Sequence, residues 1–310
     1  MDKKLISVAL SLVGVLVFFL LIIWIGGMMN ESLQLDETAL LRFVFVIIGL
    51  LIVFVVFYLT RENEIWQVGT REVVYMAIGA ALYAVFSFLF NGTVFVLPSV
   101  SQVALRPAIV IPMFFGYTFG PVVGFFTGAV GNMFGDALTG FGLSPQWSIG
   151  NGLVGMVAGM VYLFKDKKRS LDTVLIVSGV LAALATLIYL LNRNLANMLY
   201  YDVENNIFGD AQISLIAGLS LGIGFLLVLA VRYFYRKNIE VTAAVTWAML
   251  GNIIGIGFAA ISDIWINGFS FPVAIVGEFI PAAGPNLIFA AVLLPMLVIA
   301  YQSVRRQSGR

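Results

Sequence analysis

The chain alternates long apolar runs with short polar stretches. Ten of those runs reach or approach the length of a membrane span: residues 5–29, 40–60, 73–90, 105–119, 121–138, 147–164, 171–192, 213–234, 241–262 and 276–301. About 20 apolar residues in a helix cross the hydrocarbon core, and a shorter run suits a short or partly re-entrant helix. The run at 105–119 is the least regular, because it holds Arg106, Pro107 and Pro112. The pattern predicts an all-α polytopic membrane protein with about ten transmembrane helices. The first apolar run, of about 25 residues, exceeds the 7–15 of a cleavable signal core and no A-x-A site follows, so it is expected to remain as the first helix.

Charge sorts the connections onto two sides. Lys3 and Lys4, Arg61 and Arg71, Lys165 to Arg169, Arg232 to Lys237, and Arg305 to Arg310 fall on one side of a ten-helix topology. Of the 17 Lys and Arg, only Arg42, Arg106 and Arg193 fall elsewhere. The other side carries Glu31, Asp36, Glu37, Asp202, Glu204, Asp210 and Asp263. By the positive-inside rule both termini are expected in the cytoplasm.

Composition narrows the chemistry. The chain is 61% hydrophobic and 11% charged, against about 25% charged in a soluble domain. Its mean hydropathy is +1.03. With neither cysteine nor histidine, it lacks thiol chemistry, the commonest metal ligand and the usual neutral-pH base. There is no P-loop and no H-E-x-x-H. Gly135-Asp136 resembles the motif of intramembrane aspartyl proteases, but the other aspartates lie at helix ends or in loops. The expectation is a protein that is not an enzyme and that uses no cofactor or metal.

The run from Gly120 to Gly159 is the most distinctive. Gly120, Gly124, Gly128, Gly131 and Gly135 fall within roughly 80° of one helix face at about 100° per residue. Such a face lets another helix approach closely. Asn132 and Asp136 lie beside it, and a carboxylate deep in an apolar helix costs about 2.5–3.5 kcal/mol on insertion scales. Arg106, Asn132, Asp136, Trp147, Asn151, Glu278 and Asn286 all fall in the same predicted leaflet, with Asp263 at the end of the ninth helix. Pro281, Gly284 and Pro285 are expected to interrupt the last helix and free carbonyls toward a cavity. Plainer readings stand beside these. The glycines serve packing, Trp147 an interfacial belt, Asn132 and Asn151 interhelical bonding, and Glu278 a solvated helix mouth. Arg106 pairs with Asp136 or with a lipid headgroup.

Residues 73–164 resemble the S components of energy-coupling factor (ECF) vitamin transporters, closest to the riboflavin-type branch. The resemblance rests on Ala77-x-x-x-Ala81 and Ala80-x-x-x-Ala84, a long loop 91–104, Phe119 to Gly128 with Gly131 and Asp136, and Trp147 with Gly150-Asn-Gly152, in that order. It implies a six-helix S-component-like core with extra helices, and a vitamin-like ligand bound in an outward pocket roofed by loop 91–104. In that pocket Trp147 stacks on a ring, Arg106 pairs with an anionic group, and Asn132, Asp136, Asn151, Glu278 and Asn286 orient the ligand. It also implies that Ala77, Ala80, Ala81 and Ala84 form the surface that docks on a transmembrane coupling protein, itself driven by two ATPase subunits. No nucleic-acid partner is expected.

The domain organisation expected is an accessory hairpin at 1–60, a cytoplasmic linker at 61–72 and the S-component-like domain at 73–310. Within that domain, 171–235 is either an inserted helix pair or the completion of the core, with the last two helices as the extension. The competing function is a self-sufficient, ion-coupled secondary transporter of a small polar solute.

Overall fold

The computed structural model describes residues 3–91, 96–97, 103–140, 142–195, 200–202, 207–209 and 213–308. Ten helices follow the ten apolar runs. They are α1 (Lys3–Met29), α2 (Ala39–Thr60), α3 (Thr70–Asn91), α4 (Val110–Phe119), α5 (Pro121–Thr139), α6 (Pro145–Gly159), α7 (Lys167–Leu191), α8 (Leu215–Phe234), α9 (Ile239–Ile266) and α10 (Phe271–Gln307). Seven of them are long and apolar enough to cross a membrane; α4, α5 and α6 are not among these. Two short antiparallel hairpins, Val96–Leu97 with Val103–Ala104 and Tyr200–Asp202 with Ile207–Gly209, lie in the connections after α3 and α7. The chain is thus a helical polytopic membrane protein with minimal strand content.

The weaker hydropathy of α5 and α6 reflects where they sit. Most residues of α5 and nearly all of α6 are buried, so they meet mainly protein rather than lipid. The glycine face of α5 explains this, because it serves two neighbours. A Cβ at Gly124 or Gly128 would collide with the backbone carbonyls of Gly155 and Asn151 in α6. A Cβ at Gly131 would lie 2.9 Å from the Ala80 carbonyl oxygen, and one at Gly135 would lie 2.8 Å from the Ser87 Cβ, both in α3. Small residues therefore let α5 pack against α3 on one flank and α6 on the other. Gly120 separates α4 from α5 in a single residue at φ +108°, a conformation that glycine adopts without steric cost. Pro121 then starts α5, where its missing N–H is no loss.

Helices α1 and α2 touch the rest of the bundle more than they touch each other. α1 lies against α5, with Phe18 edge-on to Phe126 at 5.7 Å, and α2 lies against α6 and α9, with Phe45 facing Phe258. The prolines of α10 act otherwise than expected. The helix continues through Pro285 and Pro295, and the irregularity takes the form of a π-helical turn at Ala274–Phe279, just before Pro281. Two carbonyls beside the prolines are bonded to neighbouring helices: Asn252 of α9 donates to Ala283 O at 2.7 Å and Ser220 of α8 to Ile280 O at 3.4 Å. A π-turn adds one residue to a helical turn and shifts which side chains face inward. Here that turn carries Glu278.

The two ends of the bundle differ. At one end Lys4 Nζ donates to the carbonyls of Arg61 and Asn63, and Asn238 at the start of α9 bonds to Gln302 near the end of α10. That end gathers the basic connections. The opposite end carries the starts of α2, α6 and α10 and the ends of α3, α5 and α9.

Candidate functional site

At this second end, side chains from seven segments line one cavity of about 260 Å³. Arg106, Asn132, Asp136, Trp147, Asn151, Glu278 and Asn286, picked out from the sequence, are all among its walls. So are Arg42 of α2, Tyr83 of α3, Gln146 of α6 and Asp263 of α9. Of the loop 91–104 expected to roof it, residues 92–95 and 98–102 lie outside the described residues.

A chain of hydrogen bonds ties the walls together. Arg106, which precedes the short 3-10 turn Pro107–Ile109, places Nη1 2.6 Å from Asp136 Oδ1 and 3.0 Å from Asn132 Oδ1. Asn132 Nδ2 donates to Asp136 Oδ2 at 2.8 Å and to Ser148 Oγ at 3.0 Å. The Tyr83 hydroxyl lies 3.3 Å from Asn132 Oδ1 and 3.4 Å from Asn151 Oδ1, its one proton shared between them. Asn151 Nδ2 donates to the Trp147 carbonyl, one turn back on α6. Trp147 Nε1 donates to Asp263 Oδ2 at 2.7 Å, and Gln146 Nε2 donates to Asp263 Oδ1 at 3.2 Å. Glu278 reaches the Asp263 carboxyl from α10.

Each buried polar group in this ring thus helps satisfy another, as an apolar interior demands. Arg106 is paired with Asp136. Its guanidinium closes on a carboxylate of the protein, so an anionic ligand group would have to compete for it. Arg42 is held at the mouth by Thr38 at 2.8 Å and by Asp36 at 3.4 Å. Among the described residues no group of three or more acidic, histidine or cysteine side chains is placed to hold a metal.

The four alanines form one stripe of α3, about 100° wide. Ala80 and Ala84 are buried against α5, while Ala77 and Ala81 are exposed. All four line an apolar groove between α1 and α3, floored by Phe126 and Val130. Sequence reasoning left Arg42, Tyr83 and Gln146 out of the site. A signal existed for the first: Arg42 and Arg106 are two of only three basic residues on the acidic side, and both line the cavity.

Comparison with known proteins agrees with the sequence resemblance. The model of a family described as ECF-type riboflavin transporter, S component, matches residues 67–233, more than half of the chain. Among curated proteins, the chain is 37% identical to a UPF0397 protein of Vibrio atlanticus (strain LGP32) over 92 residues, 30% of this chain and 48% of that protein. It is 31% identical to a UPF0397 protein of Aliivibrio salmonicida (strain LFI1238) over 102 residues, 33% and 54% of the two chains. It is also 31% identical to one of Streptococcus pneumoniae (strain Hungary19A-6) over 133 residues, 43% and 65%. The chain therefore spans about half the length of the first of these relatives and just under two thirds of the last. No solved structure matches it.

Proposed function

The chain belongs to the ECF-type riboflavin transporter S-component family, and we propose that it captures a small vitamin-like nutrient from outside the cell for uptake driven by ATPase partners. The observation that carries this reading is the cavity. Charged and amide side chains from separate helices converge there on one open cavity. A concave site on which polar groups converge is the usual form of a small-molecule site. Trp147 lies against a ring of the ligand, Asn132, Asn151 and Asn286 fix its orientation, and Arg106 with Asp136 braces the wall. The chain's part is binding rather than catalysis.

The cavity lies at the end opposite the basic connections, which supports an outward mouth and cytoplasmic termini. Release then falls to a separate module, a transmembrane coupling protein with two ATPases. The exposed Ala77–Ala81 face is the surface proposed to dock on it, since only small side chains there allow close helix contact. Residues 171–235 are proposed as an inserted pair. Neither α7 nor α8 reaches the cavity, whereas α9 packs directly on α6 and supplies Asp263, although the family match extends to residue 233.

Uptake assays in proteoliposomes test the reading. Uptake is expected only when the coupling protein and both ATPases are present with ATP. Uptake by the chain alone under an ion gradient would instead establish a self-sufficient secondary transporter.

A further inference from the structure

We propose that the molecule held in this cavity is a small, flat nitrogen cation, anchored at the end formed by Asp263, Glu278, Gln146 and Trp147. This rests on the reading of the cavity as a ligand site and names the class of ligand. Three carboxylates and two guanidiniums line the space. Arg106 is taken by Asp136 at 2.6 Å, and Arg42 is held at the mouth by Asp36. Asp263 is met at close range by neutral donors, Trp147 Nε1–H and Gln146 Nε2–H, and by the Glu278 carboxyl. Among the described residues no Lys or Arg lies within ion-pairing distance of it.

A second observation points the same way. Gln146 is 1% exposed, its nitrogen is committed to Asp263, and its carbonyl oxygen has no hydrogen-bond partner among the described residues. Buried acceptors without donors are rare in native structures. This end therefore presents the Asp263 carboxyl and the Gln146 amide oxygen to the cavity, and its nearest N–H groups, on Gln146 and Trp147, already donate to Asp263. A group bearing a positive charge and several N–H bonds satisfies them together. The indole, pinned through its N–H to Asp263, adds an aromatic surface that attracts cations. The volume, about 260 Å³, lies below the roughly 300–1,000 Å³ of sites for drug-sized ligands, so one ring with a charged substituent is the appropriate scale.

Three isosteric probes test this with the purified full-length protein in detergent: benzamidine, which is cationic, benzamide, which is neutral, and benzoate, which is anionic. Isothermal titration is expected to show benzamidine binding at least about tenfold tighter than benzamide, with no binding of benzoate. Glu278→Gln and Asp263→Asn are each expected to remove that preference, and Ala282→Phe, which fills the cavity, to abolish binding. The wild-type series decides the matter alone if either carboxyl variant fails to fold. Benzamide or benzoate binding as tightly as benzamidine overturns the cationic class while leaving the cavity as the nutrient site. Absence of benzamidine binding, or binding that survives Ala282→Phe, also overturns the proposal. Riboflavin binding that Ala282→Phe abolishes would, in the same experiment, preserve the transport reading.

Discussion

Replacing Asp136 with Asn strands a half-buried guanidinium. The Arg106 and Asp136 side chains are 18% and 6% exposed, and their charged atoms are 2.6 Å apart. Removing one partner of such a pair costs about 3–5 kcal/mol, because the remaining charge stays buried without compensation. Asn keeps an amide oxygen able to accept from Nη1, which favours the lower figure of about 3 kcal/mol. At about 2 °C per kcal/mol for a larger domain, the apparent Tm should fall by about 6 °C. Intrinsic tryptophan fluorescence on heating in detergent measures it. Adding Arg106→Gln removes the stranded charge, so the double variant should melt above Asp136→Asn alone by at least about 2 °C. A single variant melting with the wild type, or a double variant that loses the sum of the two single losses, would refute the brace.

Other perturbations separate packing from binding. Gly128→Leu should leave no monodisperse protein on size exclusion, since its Cβ meets the Asn151 backbone, which no rotamer change can move. Ala81→Trp should abolish ATP-driven uptake while ligand binding by titration persists; Ala80→Trp, pointing into α5, should instead lower the Tm. Trp147→Phe keeps the aromatic surface but removes a donor from Asp263, and should cost about 1.5–3 kcal/mol of stability in thermal melts. Gly268→Ala, at φ +69° with open space around it, should cost about 1–2 kcal/mol through the backbone alone.

Hydropathy made the helices legible because every span must satisfy its backbone internally, whatever it packs against. The same logic hid their arrangement. Nothing local in α1 and α2 says that they lie on α5 and α6 rather than on each other, since their apolar surfaces would suit either. The glycine spacing of α5 announced a close approach, but not that Gly124 and Gly128 serve α6 while Gly131 and Gly135 serve α3. The cavity residues were readable as polar groups in one leaflet. Their partners were not, because Trp147 and Asp263 are brought together only by the packing of α6 on α9. The π-turn before Pro281 had no sequence signature, yet it carries Glu278 at the cavity wall. Gln146 was overlooked because a polar residue at a helix start is ordinarily solvated.

The central claim is that this cavity holds a nutrient. Native mass spectrometry of the protein, incubated with a vitamin mixture and desalted, tests it most directly. One small-molecule adduct per chain is expected on the wild type and none on Ala282→Phe of equal Tm. A wild type without an adduct, or an adduct retained by the filled variant, would contradict the account.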